Sequence, residues 1–189
     1  MPVITAPYAF NEGHLFVDLK SICGQPLHLK CEGFNFAGSI KLKAANEMVE
    51  SAERDGLLTP ESILVESSSG NLGVALSMIA ASKGYQFLCV TDSRCNLSTR
   101  LLMEALGSEV HVIADQDSNG GFLGTRIEYV RQLCASDERY VWLSQYTNAG
   151  NWRAHSRPTA PETAQPLPAL DGVFLRAATP TPPLSCAHW

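Results

Sequence analysis

From Ser62 onward the apolar positions alternate between a strand rhythm and a helix rhythm. Ile63-Leu64-Val65 is a short apolar run that predicts a strand, and it ends in the polar turn Ser67 to Asn71. Leu72 to Lys83 then carries Leu72, Ala75, Leu76 and Ile79 at helical spacing, and Gly84 supplies the stop. Phe87-Leu88-Cys89-Val90 predicts the next strand, Leu97 to Leu106 a helix closed by Gly107, and Val110-His111-Val112-Ile113 a third strand. Gly121 to Cys134 reads as another helix, followed by a strand around Tyr140 to Leu143. Such alternation predicts an α/β fold in which a parallel sheet is flanked by helices on both faces. Ligands of such sheets gather beyond the carboxyl ends of the strands, where the Ser67 to Leu72 turn falls. Ahead of this block a helix is expected from Ser39 to Asp55. Ser39 is its N-cap, Ile40, Ala44, Met48 and Ala52 its apolar stripe, and Gly56 its end. The stretch from Pro158 to Pro183 holds seven prolines, which exclude long helices and disfavour central strands.

Composition narrows the functional classes. A chain of 189 residues, 45% apolar and 17% charged, can bury a core as one large domain or two small ones. The net charge of -5 leaves no basic stripe to neutralise phosphates, so nucleic acid is not an expected partner. No signal peptide and no membrane-length apolar run is read from the sequence. The six cysteines form no C-x-x-C pair, which argues for reduced thiols rather than a metal site. The expectation is a cytoplasmic protein with no metal and no membrane partner.

Two short segments could carry chemistry. Lys41 stands in the first turn of the expected helix, where the positive end of the dipole disfavours a cation and favours the neutral, nucleophilic amine. A solvated surface lysine is the plainer reading of that position. Lys43, two residues on and on another helix face, is read as solvated. Ser67-Ser68-Ser69-Gly70-Asn71 offers hydroxyls and backbone N–H groups to a carboxylate or phosphate, though an ordinary capped turn uses the same residues. His155 is read as structural, Asp115 and Asp117 as a solvated loop, and Trp142 and Trp152 as packing residues.

Taken together, Glu32-Gly33-Phe34-Asn35-Phe36-Ala37-Gly38-Ser39-Ile40-Lys41 and Glu66-Ser67-Ser68-Ser69-Gly70-Asn71-Leu72-Gly73 resemble the cysteine synthase family of pyridoxal-phosphate enzymes, of fold type II. The resemblance continues through Gly120-Gly121-Phe122, Gln145-Tyr146-Thr147-Asn148 and Asn151-Trp152-Arg153-Ala154-His155. Leu72, the Gly120 to Arg126 run and Asn151-Trp152 are most similar to one branch. That branch joins phosphoserine and glutamate into N-(2-amino-2-carboxyethyl)-L-glutamate, a diaminopropionate precursor used in siderophores and antibiotics. The resemblance implies pyridoxal 5'-phosphate as cofactor and β-replacement on an activated serine, phosphoserine or O-acetylserine. It implies that Lys41 forms the Schiff base and shuttles the α-proton, and that Asn71 bonds the cofactor ring hydroxyl. Ser68, Ser69, Gly70, Asn71 and Gln145 then hold the substrate. Small amino acids and a second copy of the chain are the partners it implies.

The family also binds the cofactor phosphate with a glycine- and threonine-rich loop. That loop aligns with Arg176-Ala177-Ala178-Thr179-Pro180-Thr181-Pro182-Pro183, where prolines remove N–H donors and only Thr179 retains a useful hydroxyl. Weak cofactor retention is therefore expected. The expected organisation is residues 1–61 as part of a large cofactor domain, 62–156 as a small α/β domain, and 157–189 as a degenerate return to the large domain, leaving the fold incomplete. Two readings stand at this point: a β-replacement synthase, and a catalytically inactive remnant or partner-binding module. A related dehydratase is disfavoured by Leu72, where that group usually has histidine, and a nucleotide-binding domain by the missing glycine fingerprint.

Overall fold

In the computed structural model, which describes residues 3–10, 12–167 and 169–174, the predicted alternation is realised. Two short strands come first, β1 (Phe16–Asp18) and β2 (His28–Lys30), paired antiparallel around the single-turn helix α1 (Lys20–Cys23). Helix α2 (Lys41–Arg54) follows, and then the repeating units: β3 (Ile63–Ser67), α3 (Asn71–Lys83), β4 (Gln86–Asp92), α4 (Leu97–Ala105), β5 (Glu109–Ile113), α5 (Leu123–Ser136) and β6 (Tyr140–Trp142). Helices α6 (Ala149–Ala154) and α7 (Ala160–Ala164) close the described chain. The four later strands form one parallel sheet in the order β5-β4-β3-β6.

Strand pleating divides the core between the two faces. Leu64, Phe87 and Cys89 point to one side, against α2, α3 and Met103 of α4. Val65, Leu88 and Val90 point to the other, against Val130, Tyr129 and Leu133 of α5. Helix α3 is buried nearly all round, at Leu72, Val74, Ala75, Leu76, Ile79 and Ala80, because it lies between the sheet and α2. Its Gly73 is packed so closely that a β-carbon there would lie 2.6 Å from Met103 Sδ of α4 and 3.1 Å from Cys89 Sγ of β4. Cys89 and Cys95 are buried thiols, whereas Cys23 is exposed.

The chain runs from β3 outward to β4 and β5, then returns across the sheet to place β6 on the other side of β3. The order therefore reverses between β3 and β6, and their carboxyl ends frame the crevice in which open parallel sheets bind ligands.

Two local expectations are corrected, both at the start of α2. Ser39 does not cap α2; Ile40 occupies that place with helical backbone and no side-chain cap. Asn35 organises the entry instead, donating to the carbonyls of Glu32 (3.0 Å) and Ser39 (2.9 Å) and accepting from Ala37 N (3.0 Å), while Gly38 takes a φ of 64°. Ile40 is 37% exposed rather than part of the stripe, and Leu42, Ala45 and Val49 bury with Ala44, Met48 and Ala52. In the proline-bearing stretch, among the described residues, the helical pieces are short, as the prolines require. Between α6 and α7 lies a π turn, His155–Thr159, with Pro158 inside it and the Ala160 N–H bonded to His155 O.

Helix α6 packs along α2 through a glycine. A β-carbon on Gly150 would lie 3.2 Å from both the N and Cα atoms of Met48 and 2.9 Å from Asn148 Oδ1. Backbone cannot yield as a flexible side chain can, so Gly150→Ala is expected to destabilise the fold by about 1–3 kcal/mol. Urea unfolding should show a lower midpoint with an unchanged slope.

Candidate active site

Helices α2 and α3 run side by side in the same direction. At one end Glu53, in the last turn of α2, takes a 2.7 Å ion pair from Lys83 and a 3.2 Å hydrogen bond from Tyr85, at the end of α3. At the other end Leu42 and Leu72, from the two first turns, share one core cluster. The helices are 14 and 13 residues long, about 20 Å each, so their N-termini lie level at the pole that holds the carboxyl ends of the strands. Lys41 opens one helix and Asn71 the other.

The turn between β3 and α3 has a buried floor and an exposed rim. Ser68 is buried, and its hydroxyl accepts from Gly73 N at 3.0 Å, tying down the first turn of α3 from below. Ser69 and Asn71 are exposed. A β-carbon on Gly70 would meet nothing within 4 Å, so open space lies above the turn. Gly73 and Val74 bond Gly70 O, but the Asn71 and Leu72 amides at the start of α3 have no carbonyl behind them, and the helix dipole makes this rim favourable to an anion. Gln145 closes the far side: its side-chain Nε2 donates to Ser67 O at 2.8 Å, across the point where the strand order reverses.

Lys41 is half-buried, and among the described residues it has neither an ion pair nor a hydrogen bond. Burial pushes its ammonium below the ordinary lysine range, which favours the neutral amine. His155 stands near it, brought to the N-terminal end of α2 as α6 runs along that helix. Burial first, and then the charge of Lys41, push the imidazole down to about 4, so it is neutral at neutral pH. Its Nδ1 and the nearby Ser39 Oγ are buried without partners. Lys43 is not solvated, contrary to expectation. Its side chain is 6% exposed and pairs with Glu162 (2.6 Å) and Glu32 (3.0 Å). Asp117 is likewise more than a solvated loop residue. Its carboxylate accepts from the amides of Asn119, Gly121 and Gly124, and those bonds, Gly121's first, hold it below the usual carboxylate range.

Glu66 stands in the motif run of the sequence, but no role is read for it there. It is completely buried under the turn, where Oε1 accepts from Ser67 N (2.9 Å) and Trp142 Nε1 (3.3 Å), and Oε2 from Gln145 N (3.0 Å). Burial pushes its carboxyl up to about 7, against the downward pull of those three donors and Arg126. A carboxyl raised in this way holds its proton more tightly in the folded than in the unfolded chain. Its contribution to stability is therefore full below the unfolded value of 4.5, is lost as pH rises to about 7, and is constant beyond. Unfolding curves at pH 5 and pH 8 should differ by up to roughly 3 kcal/mol more in the natural chain than in Glu66→Gln. Arg126, in the first turn of α5, is also buried. Its Nη1 is ion-paired with Asp92 Oδ2 at 3.2 Å without hydrogen-bond geometry, and its Nε has no acceptor.

The pole fits the lysine and ring parts of a pyridoxal-phosphate site. It offers an unpaired amine displaced toward neutrality, an exposed amide side chain at Asn71, and open space above Gly70. Thr179 and the rest of the 176–183 phosphate segment lie outside the described residues.

Comparison with known proteins agrees with this geometry. The profile of the family described as "Pyridoxal-phosphate dependent enzyme" matches residues 16–181. The chain is 38% identical over 138 residues to an N-(2-amino-2-carboxyethyl)-L-glutamate synthase of Ralstonia nicotianae, covering 73% of this chain and 41% of that one. It superposes on a hydrogen sulfide-producing enzyme of Fusobacterium nucleatum with a TM-score of 0.79 and 28% identity, over 89% of this chain and 54% of that one. An O-ureido-L-serine synthase gives 0.78 and 28%, over 88% and 52%. The chain thus spans about half the length of these relatives. It belongs to the pyridoxal-phosphate dependent enzyme family, and pyridoxal phosphate is the cofactor of its fold.

Proposed function

We propose that this chain carries the lysine half of a β-replacement site that acts on an activated serine, with a diaminopropionate-type product. The observation that carries the reading is the meeting at one pole of an unpaired, half-buried amine and an anion-accepting turn. Lys41 Nζ would bind the cofactor and move the substrate's α-proton. Asn71 would orient the cofactor ring through its hydroxyl. Ser69, Gly70 and the first amides of α3 would receive the substrate carboxylate, with Gln145 alongside and Ser68 holding the turn from beneath. The cofactor, when bound, supplies the electron sink that lets a β-substituent leave and be replaced. The likeness to the phosphoserine-using branch at Leu72, the Gly120 to Arg126 run and Asn151-Trp152 supports phosphoserine over O-acetylserine.

A visible absorption band on mixing the chain with pyridoxal phosphate, altered by O-phospho-L-serine more readily than by O-acetyl-L-serine, is the expected result. The cofactor should leave on dialysis, because prolines replace N–H donors in its phosphate segment. No band in the intact chain would overturn the reading. The second reading, a partner-binding module without activity, rests on Pro180, Pro182 and Pro183; with it the chain would show no band at any cofactor concentration.

A further inference from the structure

We propose that Glu66 is a positioning residue of this site, fixing Gln145 and the Ser67–Gly70 turn in one register; this rests on the β-replacement reading and deepens it. The carboxylate bridges the two strands that frame the crevice. On the β3 side it receives the amide of Ser67, and on the β6 side the indole of Trp142 and the amide of Gln145. The bridge is doubled by Gln145 Nε2 on Ser67 O and extended into α6 by Asn151 Nδ2 on Gln145 O, both at 2.8 Å.

The donor set identifies what the position requires. All three partners are N–H groups, so both carboxylate oxygens are used as acceptors, a pattern the ionised carboxylate meets without turning a donor toward a donor. An amide would turn an NH2 toward an N–H, and an aliphatic chain would leave the amides buried and unpaired. The backbone next to it is also constrained. Ser144, immediately before Gln145, holds a φ of 52° without being glycine. The bond from Gln145 N to Glu66 fixes the chain just beyond that left-handed residue, and with it the direction in which Gln145 meets the turn. Charged and titratable groups face Glu66 from three elements: Arg126 of α5, Cys89 of β4, and Tyr146 beyond β6. Arg126 alone among them adds an opposite charge at neutral pH, as burial raises both the Cys89 thiol and the Tyr146 phenol.

Glu66→Gln separates positioning from folding. The variant is expected to keep the visible band with pyridoxal phosphate, because Lys41 lies on another element. Half-saturation by O-phospho-L-serine should rise at least roughly tenfold, a loss of about 1.4 kcal/mol. Hydrogen exchange at the Gln145 amide should speed up by a similar factor, with Leu64 and Val65 unchanged. Unchanged affinity for the amino acid, or unchanged exchange at Gln145, would overturn the proposal. If Glu66→Gln does not fold, Glu66→Asp is read in the same two assays, and wild-type behaviour in both would overturn it. Absence of a band in the natural chain would instead remove the enzymatic reading, and exchange at Gln145 would then decide the bridge by itself.

Discussion

Lys41→Ala is expected to abolish the visible band that the chain develops with pyridoxal phosphate, down to background. Among the described lysines, Lys30, Lys43 and Lys83 are held in ion pairs and Lys20 is exposed to solvent, whereas Lys41 is half-buried without a pair. An amine attacks an aldehyde only in its neutral form, and burial has already moved Lys41 toward that form. Lys41→Arg should fail equally, since a guanidinium stays protonated at any working pH. The pH dependence has a definite sign. Band formation should rise with pH as the ammonium loses its proton, with a midpoint below that of an ordinary lysine. A stopped-flow titration of the band across alkaline pH measures this. A midpoint at the ordinary lysine value would mean that the site does not desolvate Lys41.

Much of this site was visible in the sequence, for a physical reason. Strands and helices that alternate in a parallel sheet announce themselves by local periodicity, and the glycines that end the helices stand directly after the apolar stripes they close. Gly84 and Gly107 both adopt positive φ, as a helix stop requires. The position of the anion-accepting turn follows from that alternation, because it lies between a strand and a helix by construction. What escaped detection depends on partners distant in sequence. Glu66 looks like one polar residue at the end of an apolar strand, and its meaning comes from Trp142 and Gln145, which the return of β6 brings beside it. Local competition was also misjudged at Ser39. A serine before a helix suggests a cap, but Asn35 had already fixed the turn, leaving Ile40 in the cap position and the Ser39 hydroxyl buried. The prolines kept the helical pieces after α6 short, as their spacing implied. Pro158 clashes with an ordinary α-helical turn, yet a π turn, bonding five residues back, makes room for its ring without ending the helical path.

Lys43→Met should reveal what holds that helical path to the rest of the fold. Lys43 and Lys30 each approach both Glu162 and Glu32, with side chains 6% to 16% exposed, so four charges from α2, β2, α7 and the segment after β2 neutralise one another almost out of water. Burial alone would raise the Glu162 carboxyl, but Lys43 and Lys30 together outweigh it and hold the group below its ordinary range. Deleting Lys43 leaves two carboxylates facing a single cation. Breaking a buried pair from one side costs about 3 kcal/mol, more than the methionine can return by packing, and Tm should fall by roughly 6–12 °C. Stability owed to a depressed carboxyl is present above its unfolded pKa and lost as pH falls through its folded value, so the difference between Lys43→Met and the natural chain should shrink in acid. Thermal melts at pH 7 and pH 3 give that comparison. Below its melting temperature the variant should still form the Lys41-dependent band, because Lys43 points to α7 and not to the pole. Loss of the band in folded Lys43→Met would mean that the neighbouring cation, and not burial alone, sets the reactivity of Lys41.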